Sequence, residues 1–234
     1  MKTQSTTVIF STLVFLVGNA FCGSGYASSL TIDDFSHSQY LADQGDSAGA
    51  ASNSESGLTG TQLQNVTRTF NAEATVGGAS SEIEIASGVY SPEAGGYLLN
   101  ISNSPHSSGT ASIVWSFKPI NFMAYGSSIL LDVFHIDLDV SVEMIANEIA
   151  SSGIKTFSNS DDFLVAFNDF SNSEVFSNVS SFRLNFTGPQ AWDGQFKLLT
   201  TGAPVATVPV PPSLFLMGAG LLGLVGITRK KPSA

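Results

Sequence analysis

Three sets of residues in this sequence carry types and spacings that can do chemistry. Gly45-Asp46-Ser47-Ala48-Gly49 matches the G-x-S-x-G pattern of serine hydrolases, and Asp132 and His135 supply an acid and a base downstream. A nucleophile elbow needs a buried strand entering and a helix leaving, because that strained turn is what presents the hydroxyl. Gln39 to Gln44 is not an apolar strand and Ala50 to Gly60 is a poor helix, so the match reads as chance in a Gly/Ser-rich stretch. The second set is the carboxylates. Glycosidase chemistry needs two of them across a cleft, and Asp137 and Asp139, two apart in a strand-like stretch, would share a face. Asp33, Asp34 and Asp193, with Asp161 and Asp162, could instead offer hard oxygen ligands to a structural calcium, although no EF-hand spacing is present. His37, His106 and His135 are far apart, without zinc spacing.

The third set is aromatic. Sugars are held on β-sandwiches by flat side chains beside polar groups. Trp192, in the turn-like Gly188-Pro189-Gln190-Ala191-Trp192-Asp193-Gly194, and Tyr97, beside a Gly-rich turn, are the glycan-contact candidates; Tyr90 and Tyr125 have similar surroundings, whereas Trp115 belongs to the core.

The elements that must position these residues are short β-branched and aromatic runs separated by Gly, Ser, Asn and Pro clusters, the pattern of an all-β protein. Strands are expected at 30–35, 62–70, 81–87, 96–102, 111–117, 128–139, 140–146, 154–157, 163–168, 181–186 and 195–200. Only 142–150 also fits a helix, with Val142, Ile145, Ala146 and Ile149 on one face. Strand number and length favour a single jelly-roll-like antiparallel β-sandwich over residues 28–202, with 43–60 as a long flexible loop.

Composition limits the partners. The chain has 234 residues, 43% apolar and 12% charged, enough to bury a core. All 19 acidic residues lie between Asp33 and Asp193, and between the two basic ends of the chain only Arg68, Lys118, Lys155, Arg183 and Lys197 are basic, which leaves −14 over the stretch from residue 3 to residue 228. No basic face exists to hold phosphates, so nucleic acid is excluded.

The two ends read as targeting segments. Residues 1–27 form a signal peptide: Lys2, an apolar stretch from Val8 to Val17, then small residues, with cleavage after Ala27 or Ala20. Cleavage after Ala27 removes Cys22, the only cysteine. At the other end Val208-Pro209-Val210-Pro211-Pro212 closes a spacer over 203–212. An apolar run comes next over 213–228, then the basic stop Arg229, Lys230, Lys231 within a cytoplasmic tail, 229–234. Sixteen helical residues span about 24 Å, which a bilayer core of ~30 Å meets by thinning and snorkelling. Gly218, Gly220, Gly223 and Gly226 give that transmembrane helix a small-residue face suited to close packing. The basic cluster stays cytoplasmic, placing 28–207 across the membrane.

Motif, helix and basic stop, in that order, resemble the PEP-CTERM sorting signal of bacterial exported proteins in its V-P-x-P form; Val210 stands where the best-known form has Glu. The resemblance implies recognition and cleavage by a membrane-embedded exosortase, and export in bacteria that make extracellular polysaccharide. The body also looks like the extracellular β-sandwiches often found ahead of this tail, through Leu30-Thr31-Ile32-Asp33-Asp34-Phe35 and the run from Leu184 to Gly194. The function expected is therefore a non-enzymatic envelope or matrix protein, structural or adhesive near polysaccharide. The alternative is a carbohydrate-binding module, calcium-dependent or calcium-free; apart from a structural calcium no cofactor is expected.

Overall fold

A computed structural model describes residues 29–45, 49–75, 81–158, 160 and 162–202. The signal segment, the spacer, the sorting motif, the 213–228 helix and the basic stop lie outside the described residues, as do Asp46, Ser47 and Ala48 of the G-x-S-x-G match.

The described chain is an antiparallel sandwich. Its strands are β1 (Thr31–Asp33), β2 (Gln39–Asp43), β3 (Ala51–Ser56), β4 (Thr67–Glu73), β5 (Ile83–Ser91), β6 (Gly96–Asn103), β7 (Thr110–Ile120), β8 (Ser128–Ile136), β9 (Val140–Ala146), β10 (Ala150–Phe157), β11 (Phe163–Ala166), β12 (Val179–Thr187) and β13 (Asp193–Gly202). One sheet runs β11-β8-β13-β6-β5-β2, and the other β10-β9-β12-β7-β4-β3. β13 pairs with β6 only from Asp193 to Phe196; β1 takes up the vacated edge, with Thr31 opposite Thr200. The order mixes hairpin neighbours with long crossovers, as in a jelly roll.

Period-two alternation decides which side chains meet. In β12, Phe182, Leu184 and Phe186 are buried while Arg183 and Asn185 face outward; in β9, Val142, Met144 and Ala146 are buried between Ser141, Glu143 and Ile145. The helix alternative for 142–150 is thus incorrect. The chain reverses at Asn147 and Glu148, both at positive φ, closed by the Ile149 N–H on the Ala146 carbonyl at 3.1 Å. Side-chain-tolerant left-handed positions of this kind make a hairpin turn, which Asn favours.

Two further readings are corrected. The span 43–60 carries strand β3, whose sequence Ala-Ser-Asn-Ser-Glu-Ser buries nothing fully. It forms because its ladder to β4 is complete from Ala51 to Ser56 and because Ser54 hydrogen-bonds Thr69 across it at 2.8 Å. As a polar edge strand it lacks the apolar alternation that announces a strand. Asp137 and Asp139 do not share a strand face, because β8 ends at Ile136.

The core holds one charged clamp. Arg68 occupies an inward position of β4 and is 0% exposed. Its Nη1 reaches Asp33 Oδ2 at 2.7 Å, its Nε donates to Gln39 Oε1 at 2.8 Å, and its Nη2 donates to the His37 carbonyl and Ser87 Oγ. Residues of both sheets are tied through this one side chain. A buried charge demands that degree of satisfaction.

Candidate functional site

The outer face of the second sheet carries almost no bulk apolar side chains and many hydrogen-bonding ones. Register fixes a row across all six strands: Ser52 opposes Asn71, Asn71 opposes Ser112, Ser112 opposes Asn185, Asn185 opposes Glu143, and Glu143 opposes Ile154. At ~4.8 Å per strand the row from Asn71 to Ile154 spans about 19 Å. It crosses a cleft of ≈ 390 Å³ lined also by Glu73, Thr110 and Thr187 and by Ala72, Ala111 and Phe186.

The row is pre-set by its own contacts. Asn71 Nδ2 donates to Ser112 Oγ at 3.1 Å, and Asn185 Nδ2 donates to Glu143 Oε2 at 3.2 Å. Glu143 Oε1 accepts from Ser151 Oγ at 2.6 Å. Each amide thereby commits one N–H to a neighbour, while Ser112, accepting at its Oγ, keeps a hydroxyl proton to give.

One wall is apolar by a local device. The register of β10 against β9 slips between Ser151 and Ile154, with Gly153 at φ +67 in the bulge. Ser152 turns inward, its hydroxyl accepting the Met144 N–H at 3.0 Å. An extra residue re-aims the side chains beyond it, and Ile154 stands outward, 73% exposed, opposite Glu143. The cleft therefore offers acceptors, hydroxyls and a single aliphatic surface.

The glycan contacts expected from sequence divide. Trp192 is fully buried; its Nε1 donates to the Gly109 carbonyl at 3.0 Å, and the Trp192 carbonyl accepts from Asn103 Nδ2 at 2.8 Å. It packs so closely on Gly188 that a Cβ there would lie 2.5 Å from Trp192 Cγ. This contact corrects the sequence expectation: Trp192 is a core residue and no surface platform. Tyr97 is exposed, edge-to-face with Tyr90 at 5.4 Å on the β5–β6 hairpin of the other sheet. It is not part of the cleft.

The calcium candidates are not gathered. Asp33 is buried, and both its oxygens are occupied: Oδ1 accepts the Phe35 N–H, and Oδ2 accepts Arg68 Nη1 and Trp115 Nε1 at 2.8 Å. Burial raises its carboxyl above the usual range, with the Arg68 charge and these hydrogen bonds pulling the other way. Asp34 Oδ1 accepts the Ser36 N–H, and Asp193 Oδ1 accepts the Asn103 N–H. Among the described residues no group of three or more His, Cys, Asp or Glu is assembled to hold a metal. Asp162 is also raised, by burial and by the neighbouring Asp132, whose carboxylate faces Lys197 Nζ at 3.1 Å.

No protein-family model and no curated protein matches the chain. Among solved structures it is similar to the family 11 carbohydrate-binding module of the cellulosomal cellulase Lic26A-Cel5E of Clostridium thermocellum, at TM-score 0.38 and 10% identity, covering 77% of this chain and 98% of that one. The Clostridium thermocellum module in complex with a β-1,3-1,4-mixed-linked tetrasaccharide aligns at TM-score 0.32 and 10% identity over 72% and 97%. A structure described as PfGH50B aligns at 0.36 and 10% identity over 75% of this chain and 23% of that one. The sandwich assignment rests on the strand pairing itself.

Proposed function

We propose that this sandwich is a non-catalytic polysaccharide-contacting module of an exported protein, sorted by an exosortase through Val208–Lys231 and acting in adhesion or matrix structure. The observation that carries the binding half is the row Asn71-Ser112-Asn185-Glu143 with Ile154 at its end. Its members are fixed by mutual hydrogen bonds before any ligand arrives, so little side-chain entropy remains to be lost on binding. The polar row and its aliphatic wall suit a neutral glycan segment seated on this face. A glycan array probed with the full-length protein tests this: selective retention on a glycan class is expected, and a purely structural protein would retain none. The sorting half rests on the order of motif, helix and basic stop in the sequence.

A further inference from the structure

The outer face of the second sheet continues beyond the cleft. Outward positions of β7 run Thr110, Ser112, Val114, Ser116, Lys118, so Lys118 lies on the same face about 20 Å from Ser112, six residues at ~3.4 Å each. Between them, hydroxyls flank the path, with Thr67 and Ser181 on either side of Ser116.

Lys118 differs from every other basic side chain of the sandwich. Arg68 faces Asp33 at 2.7 Å, Lys155 faces Asp169 at 3.8 Å, Arg183 faces Glu148 at 2.8 Å and Lys197 faces Asp132 at 3.1 Å. Lys118 has no carboxylate partner among the described residues. It lines a separate cleft of ≈ 280 Å³ with Gln62, Gln64, Pro119, Ile120 and Tyr125, and no acidic residue lines that cleft. In a span carrying −14, such a place is unusual: within a Debye length of ~8–10 Å the local charge, not the distant net charge, decides what binds.

The neighbouring amide is oriented to help. The Thr31 N–H can only donate, and it meets Gln62 Oε1 at 2.7 Å, which fixes the orientation of the amide; its Nε2 donor has no partner among the described residues. A cation, a free amide donor and the Tyr125 ring form a place for an anion carried on a sugar.

We propose that the Lys118 cleft is a subsite for the anionic substituent, carboxylate or sulfate, of a sugar unit in a glycan running along β7. This rests on the polysaccharide reading of the same face and adds to it the ligand's charge. Cleft and subsite make opposite demands, a neutral segment beside Glu73 and Glu143 and an anionic one beside Lys118, which selects sparsely charged polysaccharides over polyanions.

The test is amide chemical-shift mapping on the isotope-labelled full-length protein with glucuronate, glucose 6-sulfate and glucose, and then with Lys118→Gln. Expected are shifts at Gln62, Lys118 and Tyr125 with one or both anionic sugars and none with glucose; the stronger of the two identifies the substituent. Lys118→Gln weakens the anionic sugar about fivefold, as removal of an exposed charge partner does. Absence of these shifts, or an unchanged affinity for the anionic sugar in Lys118→Gln, overturns the inference. A neutral oligosaccharide that still moves the Asn71, Ser112 and Asn185 signals would show that only the anionic subsite has failed and that the cleft reading stands.

Discussion

Replacing Arg68 by Met leaves the Asp33 carboxylate buried with only the Phe35 N–H and Trp115 Nε1 to hold it, and strips Gln39 Oε1 and Ser87 Oγ of a donor. Removing one partner of a buried pair costs ~3–5 kcal/mol, a large share of the ~5–15 kcal/mol that holds a domain together. We expect a loss of about 4 kcal/mol, read by urea unfolding of the full-length protein through the fluorescence of the buried Trp115 and Trp192. The double variant Arg68→Met/Asp33→Asn removes both charges and recovers at least ~2 kcal/mol of that loss by a double-mutant cycle. The pH dependence comes from burial holding Asp33 above its ordinary 3.8. The folded state keeps this proton where the unfolded chain has released it, so the associated stability is full below 3.8 and is lost as pH rises through the folded value. Without Arg68 the lowering influence disappears and the loss grows, so Arg68→Met is milder at pH 4 than at pH 7. A deficit under about 1 kcal/mol, or one that ignores pH in this sense, would refute the clamp as described.

Three further outcomes are expected. Gly188→Ala drives a methyl into Trp192, and because core overpacking costs ~1–3 kcal/mol the urea midpoint falls; an unchanged midpoint contradicts the packing. Ile154→Asp puts a carboxylate opposite Glu143 at the cleft wall and reduces retention on any glycan the array selects by at least about tenfold, with the unfolding midpoint within ~0.5 kcal/mol of wild type because the position is exposed. Mass spectrometry of protein from producing cells shows a C-terminus lacking Lys231; a mature product that retains it removes the exosortase step.

How much of the fold was legible in the sequence depends on the range of the interactions. Strand β12 announces itself because Phe182, Leu184 and Phe186 alternate with Arg183 and Asn185, a local pattern, whereas in β9 the spacing of Val142, Ile145, Ala146 and Ile149 fits a helix face as well. β3 has no such signal: its residues bury nothing, and only the partner β4 makes it a strand. Arg68 sits in Thr67-Arg68-Thr69-Phe70-Asn71-Ala72, where period two places it inward with Phe70 and Ala72. That signal was present, and an inward Arg requires a buried acid, yet Asp33 lies 35 residues away and nothing local couples the two. Trp192 hid behind turn residues; its burial depends on Gly109 and Gly188. Asn71, Ser112, Asn185 and Glu143 are each ordinary polar strand residues. Their alignment is a matter of cross-strand register, which one chain without its pairing does not reveal.

Isothermal titration of the array-selected neutral oligosaccharide against the full-length protein, its Asn71→Ala/Asn185→Ala variant and its Tyr90→Ala/Tyr97→Ala variant tests the account most directly. The first variant should lose at least about tenfold in affinity, the equivalent of ~1.4 kcal/mol, while keeping its unfolding midpoint within about 1 kcal/mol, and the second should bind as wild type. Undiminished binding by Asn71→Ala/Asn185→Ala, with the loss falling on the tyrosine pair, would place the glycan on the opposite sheet and contradict the account.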